Sequence, residues 1–442
     1  MLLHVGLDDT DSPEGGCTTY IAALLVERLQ ELGARFVDYP NLVRLNPNVP
    51  WKTRGNGAVC LRLEVDQALG GVVKEAVVDA VEGHAEFHCD NTNPGIVFHA
   101  GEVPGPIRRF ANRVVQGVVA LEEAEALISE HCASAVGYKN MRGLIGALAA
   151  IGETLEGDHT HELLAYRTRE NRGKPRRLDV ASVIEMDEAT RGETFSNFDP
   201  ETGRPLIAPH GPDPVLFGVR GETAEAVHRA GMMVEACEAI ERWVIFRTNQ
   251  GTDAHLRRLY KLSDLEPYSP AVVAGEVGGR PRTIQGGHVI FFIGDGAGLA
   301  DCAAYEPTGR FRDVVRRLIP GDEVVAYGGV RAPDREGRRT LNLEKLEVLH
   351  LAPHIRLMNP LCPECGGGME SMGRGKGFRC RRCGLRDQGL TKRVVEVERD
   401  LAPGLYLPPP RAHRHLTKPL ERYGREKSRH VHGELYDPWH WP

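Results

Sequence analysis

Residues 2–32 read LLHVGLDDTDSPEGGCTTYIAALLVERLQEL, and the fold can be worked outward from them. Leu3, Val5 and Leu7 alternate with smaller or polar residues, which predicts a short buried strand. Asp8, Asp9 and Asp11 then bring three carboxylates to the strand's C-terminal end. A turn follows (Ser12, Pro13, Gly15, Gly16), after which Ile21, Leu24, Leu25, Leu29 and Leu32 recur at helical spacing behind Thr18 and Thr19. Carboxylates suit hard cations such as magnesium, and free N–H groups at a helix start favour phosphate oxygens. A single aspartate here would be a solvated turn residue and Thr18 a helix cap. The whole constellation points to a nucleotide site.

Beyond the first helix, Asn46-Pro47-Asn48 and Gly55-Asn56-Gly57 are turn signals bracketing Lys52 and Arg54. Two cations in a turn near an acidic phosphate site can neutralise phosphate oxygens, although alone they read equally as an exposed basic loop. Val59, Leu61, Leu63 and Val65 predict a strand, 67–81 a helix, 96–98 another strand, and 107–131 one or two amphipathic helices. The run from Arg142 to Gly152 is rich in glycine and alanine. No Lys-Ser/Thr follows it, so it predicts a close-packed helix rather than a phosphate loop.

A chain of 442 residues suggests three to four domains. No apolar run approaches the ~20 residues of a membrane span, and the start lacks the basic flank of a signal peptide. A cytoplasmic protein that does not engage membranes is expected. The net charge of −6 is uneven: residues 362–430 carry sixteen Lys and Arg against eight Asp and Glu. An acidic body with a basic C-terminal part predicts contact with a polyanion there.

Residues 131–260 predict mixed strands and helices: 162–166, 214–218 and 243–246 as strands, with 221–239 helical. Such units suit a ferredoxin-like layer. Asp199, Asp213, Glu222 and Asp253 lie near turn signals there. Residues 266–352 predict five strands (271–277, 288–293, 301–305, 323–330, 340–349) with a helix at 311–318 before the fourth, the order of an OB-fold. Arg280, Arg282, Tyr305, Arg310, Phe311, Arg312 and Tyr327 interleave there, as in a nucleic-acid surface.

Residues 356–390 hold Cys362-Pro-Glu-Cys365 and Cys380-Arg-Arg-Cys383, separated by fourteen residues. Two such knuckles predict a closed four-thiolate zinc site, which is structural because no coordination position stays open. A segment so small depends on the metal to fold. The remaining six cysteines are scattered and predicted as small buried residues. Residues 391–442 form a basic tail in which Pro408-Pro409-Pro410 precede Arg411, Arg414, His415 and Lys418, predicting an extended arm along a phosphate backbone.

Several of these runs together resemble the archaeal tRNA-Ile agmatinylcytidine synthetase family: DDTDSPEGGCTTY, RLNPNVPWKTRGNGAV, NTNPG, RGLIGALAAIG, TNQGTDAHL, the CPEC–CRRC ribbon and RHLTKPL. The resemblance implies a multidomain α+β protein: a kinase-like α/β ATP-binding domain at 1–130, a ferredoxin-like agmatine-binding domain at 131–260, an OB-fold and a zinc ribbon. It implies a ligase that uses ATP to join agmatine to C2 of the wobble cytidine of an isoleucine tRNA with a CAU anticodon, through a phosphorylated cytidine. By position, Asp8, Asp9 and Asp11 resemble the family's magnesium- and ATP-handling acids. Thr18 resembles its phosphorylated threonine, Lys52 and Arg54 fall in its matching basic run, and Cys362, Cys365, Cys380 and Cys383 match its zinc ligands. ATP, magnesium and zinc are thus the expected cofactors, and isoleucine tRNA and agmatine the expected partners. Two other classes fit parts of the sequence: a non-catalytic nucleic-acid-binding protein with an OB-fold and zinc ribbon, and a small-molecule kinase with an accessory RNA domain. Three carboxylates beside a polyanion argue against the first.

Overall fold

The computed structural model describes residues 1–132, 134–334, 337–428 and 434–442. Its first unit contains β1 (Leu2–Asp8), α1 (Thr18–Glu31), β2 (Arg35–Phe36), β3 (Asn41–Arg44), β4 (Gly57–Glu64), α2 (Gly70–His84), β5 (Gly95–Ala100), α3 (Gly105–Gln116), α4 (Leu121–His131), β6 (Ser134–Gly137) and α5 (Gly143–Gly152). β1 lies in the middle of the sheet, antiparallel to β4 and β5. Its alternation turns Leu3, Val5 and Leu7 into one core, shared with Ile21 and Leu25 of α1 and Val73 and Val77 of α2. The opposite face carries α3, α4 and α5. α5 sits on bare backbone, because a side chain at Gly6 would collide with the Ala147 carbonyl and one at Gly95 with Gly143. Close packing is therefore what the small residues of 142–152 provide.

The second unit contains β7 (Thr160–Arg167), α6 (Val180–Ala189), β8 (Thr194–Phe195), a hairpin of β9 (Phe198–Asp199) and β10 (Arg204–Pro205), β11 (Val215–Gly221), α7 (Ala224–Met233) and β12 (Ile240–Thr248). One sheet runs through both units in the order β6-β5-β1-β4-β3-β12-β7-β11-β8. The seam is the parallel pairing of β12 with β3, through Arg247 with Asn41 and Thr248 with Leu42. A buried ion pair between Arg247 and Asp38 lies beside it. The sheet thus crosses the division expected near residue 130: β6 pairs with β5, and α5 lies against β1.

The third unit contains β13 (Pro270–Val277), β14 (Arg282–Thr283), β15 (Val289–Gly294), β16 (Leu299–Ala304), α8 (Phe311–Arg316), β17 (Glu323–Val330) and β18 (Thr340–His350). Five strands close in the order β13-β15-β16-β18-β17 and back to β13, with α8 before the fourth, as the sequence predicts. Two expected surface aromatics are otherwise occupied. Phe311 is in the barrel core, since the helix must bury an apolar face, and the Tyr327 hydroxyl donates to Glu347 at 3.0 Å.

β19 (Ile355–Met358) pairs with β23 (Arg393–Glu396) as a stalk that carries the ribbon strands β20 (Met369–Ser371), β21 (Phe378–Cys380) and β22 (Arg386–Asp387). Then β24 (Gly404–Tyr406) joins β18, and β25 (His440–Trp441) joins β12. Trp439 packs against Phe36 and Tyr39.

The extended basic arm expected of the tail is not what the chain forms. Arg411 bonds Asp199 and Glu201, both at 2.9 Å, and Arg414 bonds Glu344 at 3.1 Å. Lys418 reaches Glu426 at 2.9 Å, while Arg422 reaches Asp158 at 2.9 Å and Glu222 at 2.6 Å. Carboxylates withdrawn from water require counter-ions, and the tail's cations supply them. Among the described residues no helix is long and apolar enough to cross a membrane.

Candidate active site

Two helix starts face the acidic turn. At the first, Thr18 is the opening residue of α1, and the N-cap is Cys17, whose side chain makes no capping bond among the described residues. The capping oxygen comes instead from Asp11, whose Oδ1 accepts the Thr18 N–H at 2.7 Å and the Thr18 hydroxyl at 3.0 Å. Thr10 donates its own hydroxyl to Thr18 Oγ1 at 2.9 Å. At the second, Gly146 in the first turn of α5 leaves room for the Asp8 carboxylate, with which any Cβ there would collide.

The three aspartates take separate partners. Asp9, held at a φ of 56°, accepts from Arg142 Nε at 2.7 Å, and Arg142 also donates to the Asn91 carbonyl at 2.6 Å. Asp11 pairs with Arg54 at 3.0 Å, and Arg54 reaches on to Asp213 of the second unit at 3.2 Å. Burial pushes the Asp8 carboxyl well above the usual carboxylate range, and the charges of Asp9 and Asp11 add to this. Burial also lifts Asp9 to about 6, with Arg142 pulling the other way. Crowded acids that resist ionisation are poised to exchange protons for a metal cation.

A cleft of about 710 Å³ opens over these groups, lined by Asp8, Asp9, Asp11, Thr18, Lys52 and Arg142 among others. A second cavity of about 1420 Å³ lies on the other side of Asp11 and Thr18, which line both. Arg54 lines this second cavity, whereas Lys52 lines the first and donates to the Arg54 carbonyl at 3.1 Å. The second cavity is enclosed by β7, β11, the 206–213 loop and the tail residues Arg411, Arg414 and His415. Glu162 lies in its wall, accepting from Arg220 at 2.9 Å and from Gln250. Of the four acids noted in the second unit, Asp213 lines this cavity, while Asp199, Glu222 and Asp253 are held by Arg411, Arg422 and Lys345. Arg142 is the group the sequence did not single out. It sits 133 positions from Asp9, at the start of a helix that reads as packing, so no local pattern marks it.

In the ribbon, Cys362 Sγ lies 3.5 Å from Cys383 Sγ, and Cys365 Sγ lies 3.5 Å from Cys380 Sγ. All four sulfurs are within 4.8 Å of one another. Tetrahedral zinc with Zn–S bonds near ~2.3 Å sets its sulfurs about 3.8 Å apart, so this donor set fits zinc. The N–H groups of Arg382 and Cys383 point at Cys380 Sγ at 3.3 and 3.5 Å, as donors that stabilise a thiolate ligand do. Of the six scattered cysteines, Cys17, Cys60 and Cys302 are buried, but Cys89 and Cys132 are half-buried and Cys237 is exposed.

Family models match three segments: the TiaS TCKD domain over residues 4–74, the TiaS FLD domain over 141–255 and the TiaS C-terminal zinc ribbon domain over 359–401. A TiaS from Staphylothermus marinus, an isoleucine-tRNA 2-agmatinylcytidine synthetase, is 44% identical over 437 residues, covering 97% of this chain and 95% of the relative. The chain belongs to the TiaS family. The TiaS of Pyrococcus horikoshii is 46% identical over 422 residues, covering 95% of this chain and 97% of the relative. A crystal structure of apo TiaS superposes with a TM-score of 0.86 at 41% identity, covering 96% of this chain and 98% of the other. A complex of TiaS with its isoleucine tRNA, AMPCPP and agmatine superposes with a TM-score of 0.83 at 39% identity, covering 96% of this chain and 97% of the other. The acidic turn lies in the TCKD match, Arg142 and Asp213 in the FLD match, and the four cysteines in the ribbon match.

Proposed function

We propose that this protein is an isoleucine-tRNA 2-agmatinylcytidine synthetase, an ATP-dependent ligase that joins agmatine to C2 of the wobble cytidine in the CAU anticodon. The observation that carries this is the acidic cleft between two helix starts, in a chain that matches over nearly its full length a relative solved with isoleucine tRNA, AMPCPP and agmatine.

The chemistry follows from the leaving group. The C2 oxygen of cytosine departs poorly when an amine attacks. Phosphorylating that oxygen makes it a good leaving group, after which the neutral primary amine of agmatine adds at C2 and expels phosphate. ATP yields AMP and phosphates in the overall reaction. Asp8 and Asp9 would hold magnesium, which would offset charge on the phosphates; Lys52, which lines the cleft, would face phosphate oxygens, and Arg54 would reach them on leaving its pair with Asp213. Asp11 orients the Thr18 hydroxyl and takes its proton as Thr18 attacks a phosphoryl group of ATP, breaking a phosphoanhydride bond and displacing the rest of the nucleotide.

The second cavity takes agmatine. Of the four acids noted in the second unit, Asp213 is the one that lines that cavity; Arg54 and Arg176 hold it, and it can exchange Arg54 for the guanidinium of the ligand. The wobble cytidine leaves the anticodon stack to reach the wall shared by the two cavities, which costs less in a loop than in a duplex. The N-terminal unit acts as a kinase-like domain and the second as a ferredoxin-like agmatine-binding domain. The barrel is an OB-fold that meets RNA together with the basic ribbon.

Isoleucine tRNA incubated with the protein, ATP and agmatine, then digested to nucleosides, should show a mass gain at the wobble cytidine equal to agmatine less water. An unchanged nucleoside under these conditions, with tRNA bound, would leave a non-catalytic binder. Phosphate transfer to a free metabolite without tRNA would make the protein a small-molecule kinase.

A further inference from the structure

A group of metal-type donors outside the cleft has no part in the chemistry above. Glu14 belongs to the glycine turn that joins Asp11 to Thr18, and His88 and Cys89 to the turn after α2. One ligand atom from each lies within 4.8 Å of the other two. Glu14 Oε2 and His88 Nε2 already face each other at 2.9 Å.

Both turns are fixed before any ion arrives. Ser12 Oγ accepts the N–H groups of Glu14, Gly15 and Gly16, each at 3.0 Å, and itself donates to Glu86. Glu86 accepts the Gly16 N–H at 3.2 Å through its carboxylate and the Cys89 N–H at 3.0 Å through its carbonyl. Lys139 donates to the carbonyls of Cys89 and Asp90, at 2.6 and 3.2 Å. The backbones that present the three ligands are therefore tied to each other.

We propose that Glu14, His88 and Cys89 form a second transition-metal site, which binds a zinc-like divalent ion between the turn leading to Thr18 and the turn after α2. One carboxylate oxygen, one imidazole nitrogen and one thiolate sulfur make a borderline-soft set, which selects zinc over magnesium. Three protein ligands leave a fourth tetrahedral position for water. Glu14 and His88 are exposed, so the ion can enter and leave, unlike one enclosed by the four-cysteine site. On coordination the Cys89 thiol gives its proton to solvent, and no electron changes hands.

Cobalt(II), added to full-length protein with zinc in its ribbon, is the direct probe. A thiolate-to-cobalt absorption saturating at a single equivalent is expected. Cys89→Ser should abolish it while the ribbon keeps its zinc. His88→Ala should weaken binding by more than the roughly 10–100-fold typical of losing an outer-shell partner. Absence of the band in the wild-type protein, or its survival in Cys89→Ser, overturns the site. Cobalt binding at Cys89 does not depend on tRNA modification, so it stands or falls apart from the proposed reaction.

Discussion

A single oxygen, Asp11 Oδ1, accepts both the backbone N–H of Thr18 at 2.7 Å and its hydroxyl at 3.0 Å. One carboxylate therefore closes the start of α1 and fixes the direction in which the Thr18 lone pairs point. Thr18→Ala is expected to abolish agmatine transfer and the appearance of labelled ATP phosphate on the protein, with tRNA affinity retained. Thr18→Ser should recover part of both. Asp11→Asn should slow phosphorylation by about 10²–10⁴-fold, the usual range for a lost general base. An unlabelled Thr18→Ala enzyme that still transfers agmatine at the normal rate would make phosphorylation there a side reaction.

Asp9 sets a pH dependence. Its carboxyl is raised to about 6, so below that pH a proton occupies the oxygen that a cation needs. Apparent magnesium affinity should rise as pH increases from about 5 to about 7, by up to about tenfold per unit for one competing proton. Magnesium titrations of ATP turnover at several pH values measure this. Asp9→Asn should flatten the rise and reduce turnover.

Removal of zinc, or Cys380→Ser, should weaken tRNA binding while the central sheet stays folded, because the ribbon hangs on the β19–β23 stalk with its own small core. Circular dichroism and tRNA binding on the same sample separate the two effects. Loss of nucleotide binding along with tRNA binding would contradict it.

Arg381 and Arg382 are exposed on that ribbon, and Arg381 makes a surface pair with Glu370 at 2.7 Å. Such a pair is worth little and yields readily to a phosphate. Neutralising both arginines should reduce the slope of log affinity against log salt by about one to two. An unchanged slope would place the phosphate surface elsewhere, most simply on the barrel.

Arg422 is 1% exposed and bonds Asp158, Glu222 and the Gly251 carbonyl. Arg422→Ala should cost about 2–3 kcal/mol, since two half-buried carboxylates lose their nearest cation and keep Lys418 and Lys427 at 4.0 and 3.5 Å. Chemical denaturation checks this, and a variant within about 1 kcal/mol of wild type would show that those carboxylates are solvated.

What could be read from the sequence was whatever is written in neighbouring residues. Leu3, Val5 and Leu7 declare β1, the strand expected at 323–330 is β17, and the paired Cys-x-x-Cys spacings declare the ribbon. The seam between β3 and β12 was not legible, because two paired residues on strands far apart in the chain leave no periodicity. Nor was the partner of Asp9, or the inward turn of Arg411, Arg414 and Arg422. Composition shows that a segment is basic, whereas the acids it must neutralise are set by the folded body.

During synthesis, Asp158, Glu222 and Glu344 leave the ribosome long before Arg414 and Arg422. Until those cations arrive, the second unit and the barrel carry buried or half-buried acids without these partners, and Phe36 and Tyr39 lack the Trp439 ring that packs on them. Chains cut short before residue 414 therefore lack both counter-ions and a core residue. They should be recognised and degraded rather than accumulate as partial enzymes that could occupy tRNA without modifying it.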